Sequence, residues 1–522
     1  MLYCKERLIL IILLVFSSQI SFSAQKKYTP KQALREAYYY YKYQNYGFAL
    51  PYFEMYVASD TTNAKVNYDI GECIYYSQQN KTRAIEHYER AKKLKPEACA
   101  KLGELYHLKA DFDKARDNYR VFLSDGQPSA DVSRRITESI KQIDRAEFAM
   151  KHPTGAIITK LSDSVNSVYP DYVPILSPDG QYMYFTSRRK GSTGGIKDVN
   201  GDYFEDIYVS QNIDGRWQKA ENAGKTINSK THDACLGITS NMQTMFIYRT
   251  NEEGTGGGIY ESYFKDEKWS KPTIIEATFN STKPEIKVIS LTVAPDSVTY
   301  FYVSNAPGGY GGTDIYKVVR YGPNLWSRPQ NLGPTINTAE DEDCPFIHYD
   351  GKTMFFSSKG HDSYGSFDIF KTELDDNGNW TKPVNMGYPL STTNDDRAFV
   401  LIPDGKTGYY SSRTIEGTTL HDIYKVELSQ PFMQYAPVKG TALTAKSEPS
   451  KVELKVFQEP NKEKLGSYFP STTSGKFTLM LRCGMQYTIE VWSGDEIIEE
   501  IAYTVPDSID PLIDQIIITL QR

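Results

Sequence analysis

Oxygen-bearing side chains at alternate positions are the first sign of chemistry in this chain. Asp198, Asn200 and Asp202 stand two residues apart, and Asp206 follows four later. Alternate residues of a tight loop turn their side chains to one side, so this spacing suits the wrapping of a hard cation. A structural calcium ion is therefore the candidate cofactor, against the plainer role of an exposed acidic turn. Tyr203 follows Asp202 where such loops prefer glycine. A second set is dispersed: Asp171, Asp233, Glu342 and Asp396 each precede a turn residue by eight positions, and Val288 holds the fifth equivalent place. At the start of the inner strands of a ring, four carboxylates would form a negative mouth for a basic side chain or a cation. Their other use is to accept hydrogen bonds from turn amides and hold neighbouring strands. Asp206, Asp314, Asp368 and Asp422 form a third set. Its recurrence suits a bond needed in every repeat better than a catalytic acid needed once.

Enzyme motifs are otherwise missing from the sequence. It contains no Gly-x-Ser-x-Gly, no His-Glu-x-x-His and no phosphate-binding Gly-Lys loop. Ser187 and Lys190 match Ser-x-x-Lys without its companion motifs. The glycine runs at 256–258 and 308–312 lie between strand patterns, where glycine supplies unusual backbone angles rather than a nucleotide cradle. These observations lead to the expectation of a non-enzymatic protein.

The elements that would position these residues repeat. An Ile-aromatic pair occurs at 207–208, 259–260, 315–316, 369–370 and 423–424, in steps of 52, 56, 54 and 54 residues. Trp217, Trp269, Trp326 and Trp380 keep the same beat, as do the turns at Asp179-Gly180, Asn241, Asp296-Ser297, Asp350-Gly351 and Asp404-Gly405. Several short strands per copy at this period predict propeller blades. The fifth copy lacks its own tryptophan strand, while 156–167 reads as a lone strand ending in Val165-Asn166-Ser167, like Ile227-Asn228-Ser229. That strand is expected to complete the last blade and remove a free edge, giving five blades, with six as the alternative.

Residues 28–150 read as helical. Ala49, Ala84 and Ala115 are each followed four residues later by Phe53, Tyr88 or Tyr119, and Gly71 and Gly103 sit earlier in the second and third copies. A small residue allows close helix approach and an aromatic packs the next turn. This pattern resembles the tetratricopeptide repeat, with three copies and a final helix from about Asp131 to Met150. The run from Ser177-Pro178-Asp179-Gly180 through Tyr184-Phe185-Thr186-Ser187 to Asp206-Ile207-Tyr208 resembles the TolB-type propeller repeat, and the likeness spans 154–430. That family implies protein binding more often than catalysis. The acidic loop is similar to the calcium loops of integrin-type propellers. Beyond Gln430-Pro431, alternating strands with turn residues between them (Val452 to Phe457, Lys476 to Leu479, Tyr487 to Val491) predict a small sandwich over 436–522. It resembles the carboxypeptidase regulatory-like domain.

Residues 1–23 read as a signal peptide: Lys5 and Arg7, an apolar core from Leu8 to Phe16 too short to span a bilayer, and small residues at Ser21 and Ser23. The remaining five cysteines are odd in number and widely spaced, which does not suggest a disulfide framework. A net charge of −6 argues against nucleic acid as a partner. The order of modules resembles envelope proteins of Bacteroidota, some of them associated with type IX secretion or gliding, here without the OmpA-like domain and so without an evident peptidoglycan anchor. The resemblance implies a periplasmic, outer-membrane-associated scaffold. Envelope proteins would bind its helical repeats and its propeller, within an outer-membrane complex. The alternative is a hydrolase or carbohydrate-binding protein using the propeller face, which for glycan hydrolysis needs paired carboxylates of unequal pKa.

Overall fold

A computed structural model describes residues 28–77, 80–198, 202–239, 242–252, 256–265, 268–277, 279–280, 286–413, 420–444, 446–472, 474–507 and 516–521. The signal peptide expected at 1–23 lies outside them. The chain divides into two compact units, 1–98 and 99–522.

The first unit is helical: α1 (Pro30–Lys42), α2 (Tyr46–Val57), α3 (Ala64–Ser77) and α4 (Ala84–Ala91). Thr29 opens α1 with a capping box completed by Gln32, and Pro30 stands where its missing N–H costs nothing. The small and aromatic residues of the repeat pack against each other. Ala49, Phe53, Ala84 and Tyr88 are buried, and a Cβ at Gly71 would enter the Tyr88 ring.

The second unit begins inside α5 (Glu97–Leu108), followed by α6 (Phe112–Asp125) and α7 (Ala130–Lys151). The same packing recurs where Gly103 lies under the Tyr119 ring. Five antiparallel sheets follow, and their innermost strands are Asp171–Leu176, Asp233–Ile238, Val288–Val293, Glu342–Ile347 and Arg397–Leu401. Each inner strand touches the next, and the fifth touches the first, so the sheets form a propeller-like ring. Ile157–Lys160 pairs antiparallel with His421–Glu427, so the strand that precedes the ring completes the fifth sheet. This is the closure the sequence led us to expect.

Tryptophans seal the joints between blades. Trp217 of blade one donates its Nε1–H to Tyr409 of blade five at 3.3 Å, Trp269 of blade two donates to Tyr184 of blade one at 3.1 Å, and Trp380 of blade four packs on Phe301 of blade three. A second joint is a side-chain amide that copies a strand partner. Asn228, Asn280, Asn337 and Asn166 each accept from the N–H of Ile207, Ile259, Ile315 and Ile423 and donate back, while Ser391 does this for Ile369.

The two ends of the ring are covered differently. At the end where inner strands begin, α5 and α7 dock on blade four. His107 Nε2 meets the Tyr364 carbonyl at 2.7 Å, Gln142 donates to Ser363 Oγ and Gly365 O, and Arg145 Nε donates to Ser363 O. The opposite end, with its turns, carries the C-terminal region. That region is a three-stranded and a four-stranded sheet around Leu454, Val456, Leu479, Leu481 and Ile489. Lys439 bridges to Asp179 at 2.8 Å, Lys352 to Glu463 at 3.1 Å, and Gln243 donates to Lys476 O. Among the described residues no helix is long and apolar enough to cross a membrane, and Cys73, Cys235 and Cys344 are free thiols.

Candidate functional site

The four recurrent acids do not line a mouth, which corrects the binding role expected for them. Asp171, Asp233, Glu342 and Asp396 are fully buried at the blade joints. Each accepts the backbone N–H and the hydroxyl of the residue four earlier: Ser167, Ser229, Thr338 and Thr392. Each is latched a second time. Arg189 reaches Asp171 and Arg249 reaches Asp233 at 2.6 Å, whereas Ser358 and Ser412 do this for Glu342 and Asp396. Burial raises the Asp233 carboxyl even beside Arg249, and without an arginine the carboxyls of Glu342 and Asp396 are pushed up to about 7.

The acidic loop is built around a guanidinium. Arg188 donates to Asp198 Oδ2 and to the Tyr203 carbonyl, and Asp202 stands 3.9 Å from it. Asp206 instead accepts from the N–H and hydroxyl of Thr193 and from Asn222, and burial raises its carboxyl. Asn200 lies outside the described residues. No group of three or more ligating side chains among those described is arranged for a metal ion.

A second polar cluster, itself largely buried, lies at the end of the ring where the inner strands begin and consists of residues that do not recur. Three inner strands, in blades one, four and five, carry a bulge whose residue has positive φ: Val173 at 54°, Cys344 at 47° and Ala398 at 55°. Register slips in each of these strands. A bulge re-aims the side chain beside it, and the residues just before these bulges are Tyr172, Asp343 and Arg397. Blades two and three, with Cys235 and Ser290 at the equivalent place, have no such positive φ.

From these positions a chain of contacts crosses four of the five joints. Ser290 Oγ donates to Asp343 Oδ1 at 2.8 Å, and Arg397 binds both Asp343 (3.0 Å) and Asp395 (3.1 Å). His421 Nε2 lies 3.1 Å from Asp395 Oδ2, and its ring is 5.9 Å from that of Tyr172. The Tyr172 hydroxyl donates to Glu205 Oε1 at 2.5 Å, and Glu205 Oε2 lies 3.2 Å from His232 Nδ1. Two carboxylate–imidazole pairs therefore flank one tyrosine. Burial opposes ionisation of Glu205, but hydrogen bonds from His232 and Tyr172 outweigh it and hold the carboxyl below its usual value. Burial is outweighed in the same way at Asp395 by His421 and Arg397. Burial holds His421 neutral, only partly opposed by Asp395. Both His421 nitrogens are engaged, since Nδ1 faces Arg413 Nε at 3.5 Å. His232 stacks on Phe204, and its Nε2 carries no hydrogen-bond partner among the described residues. The Glu205 backbone N–H also donates to His232 Nδ1 at 3.3 Å, which places the ring proton on the outward Nε2, and an oriented imidazole of this kind beside an ionised carboxylate is the arrangement of a proton-transfer group.

No protein-family model matches the sequence, and no curated protein matches it. Similar solved structures include one described as a glycoside hydrolase, at 11% identity over 56% of this chain and 96% of that one, with a TM-score of 0.38. An α-L-arabinofuranosidase from Lactobacillus brevis aligns at 12% identity over 51% and 94%, TM-score 0.32. A Penicillium chrysogenum α-L-arabinanase aligns at 12% identity over 54% and 100%, TM-score 0.34. Glycoside hydrolases recur among these structures, which runs against the expectation of a non-enzymatic scaffold and towards its stated alternative. Likeness at this level assigns no activity or substrate to this chain. Sequence reasoning missed Tyr172, Glu205, His232, Asp343, Asp395, Arg397 and His421. The available signal was polar residues flanking a recurrent acid without themselves recurring.

Proposed function

We propose that this chain is a hydrolase acting on glycans at the mouth formed by blades five, one and two. The observation that carries the reading is the pair of carboxylate–imidazole contacts, Glu205–His232 and Asp395–His421, on either side of Tyr172. His232 gives the proton of its Nε2 to the departing sugar oxygen and regains one from the attacking water, while Glu205 orients the ring through its carboxylate and its backbone N–H. Asp395, held ionised, stands ready to stabilise positive charge developing on a sugar ring. The surrounding carboxylates and guanidinium groups are the partners that sugar hydroxyls need. In support of the finer architecture, we read α1–α7 as tetratricopeptide-type repeats, the ring as a five-bladed TolB-like propeller and the C-terminal sheets as a regulatory-like sandwich. A periplasmic location is part of the same proposal.

The test is turnover of a panel of oligosaccharides by the mature chain. His232→Ala and Glu205→Gln are expected to lower kcat by about 100-fold or more while melting is unchanged. Absence of both turnover and binding across the panel overturns the reading. A second reading, glycan binding without turnover, is favoured by one observation: Glu205 and Asp395 are both held ionised, leaving no carboxyl proton donor between them. Saturable binding without product would select it.

A further inference from the structure

Arginines at the ends of the blades are nearly all fully engaged. Arg189 holds Asp171, Ser187 and the Val165 carbonyl, and Arg249 holds Asp233 and the Ile227 carbonyl. Arg320 forms a two-pronged pair with Glu261, and Arg397 joins two carboxylates with its guanidinium over the Phe367 ring. Arg413 differs. It closes the strand Thr407–Arg413 directly opposite His421. Its Nε meets His421 Nδ1 at 3.5 Å, and among the described residues its nearest carboxylate, Asp395, stands 3.8 Å away. That carboxylate already serves His421 and Arg397. The two terminal nitrogens of Arg413 make no hydrogen bond to any described residue, although the side chain is half-buried beside the mouth.

We propose that Arg413 receives an anionic group of the ligand, so that the glycan bound at this mouth is an acidic one, bearing a uronate carboxylate or a sulfate. The inference rests on the glycan reading above and adds the charge of the substrate. A guanidinium fork matches both oxygens of such a group, and charge-assisted bonds of this kind are about twice as strong as neutral ones. The nearby negative charges do not compete for the place. Asp343 is engaged by Ser290 and Arg397, and Glu205 by Tyr172 and His232. Burial, incompletely offset by Asp395 and increased by Arg397, lowers the proton affinity of Arg413, which is the mark of a cation short of a counter-charge.

Calorimetry at fixed ionic strength with trigalacturonate, its neutral methyl ester and a sulfated trisaccharide tests the proposal on the full mature chain. The expected result is that the acid binds about tenfold more tightly than its ester, or the sulfated sugar does, and that Arg413→Gln removes the preference. Arg413→Lys is expected to keep part of it, and it serves as the informative variant if Arg413→Gln does not fold. Preference for uronate over sulfate, or the reverse, identifies the anion. Equal affinity for acid and ester, or a preference that survives Arg413→Gln, overturns the inference and leaves the glycan reading standing. Failure to bind any of the three, with no turnover of neutral glycans, overturns both.

Discussion

Asp395 and Asp396 are neighbours in the chain, yet they do opposite work. Asp396 turns into the joint between blades, accepts from Thr392 and Ser412, and burial keeps its proton up to about pH 7. Asp395, also buried, turns to the other side of the strand, where His421 and Arg397 keep it ionised. Glu342 and Asp343 repeat the contrast one blade earlier, since successive strand residues face opposite sides. A carboxylate that recurs holds the ring together. A carboxylate beside it that does not recur is free to take part in chemistry.

The contrast breaks most sharply in stability. Arg249→Ala leaves Asp233 buried and unpaired, and is expected to lower unfolding free energy by about 3–5 kcal/mol in urea titration. Arg413→Gln, at the mouth, is expected to change it by less than about 1 kcal/mol.

A pH series sharpens the contrast. The folded carboxyl of Glu342 lies near 7, above its ordinary value of 4.5. Its contribution is therefore complete below about pH 4.5 and is lost as pH rises through about 7, a change of about 3 kcal/mol that Glu342→Gln should flatten between pH 5 and 8. Asp395 carries the opposite sign. Its depressed carboxyl stabilises above its ordinary value of 3.8, and the contribution disappears as pH falls. The difference between wild type and Asp395→Asn should therefore shrink in acid.

A smaller effect is expected from Tyr172→Phe. Losing the hydroxyl removes one of the bonds holding Glu205 ionised, so the acid limb of the pH–rate profile should move up by about one unit with little loss of stability. The smallest belongs to Lys439→Ala at the other end of the ring. That part-buried pair with Asp179 is expected to contribute about 1 kcal/mol, partly screened by salt.

Repetition made the ring legible. The Ile-aromatic beat, the tryptophans and the turn residues marked the blades, and the lone strand before them marked the closure, because each does the same physical job in every copy. Gly71 under Tyr88 was legible for the same reason. The mouth was not. Asp171 and its equivalents recur and attracted attention, but their recurrence reflects the joint they hold. Tyr172, Asp343 and Arg397 depend on bulges at Val173, Cys344 and Ala398, where residues without glycine's freedom adopt positive φ. Neither propensity nor spacing forecasts that, because the surrounding sheet imposes it. Glu205 and His232 come together only when blades one and two meet.

The strand Ile157–Lys160 gives the order of synthesis a role. It leaves the ribosome before any blade, yet its partner ends at Glu427, the last of the ring to emerge. For most of translation it is an open edge awaiting a strand not yet made, and an intruding chain that paired there first would lock the ring open. The fifth blade, which carries Asp395, Arg413 and His421, is therefore the last to become whole, and the mouth cannot exist before the chain's two distant ends of the ring have found each other.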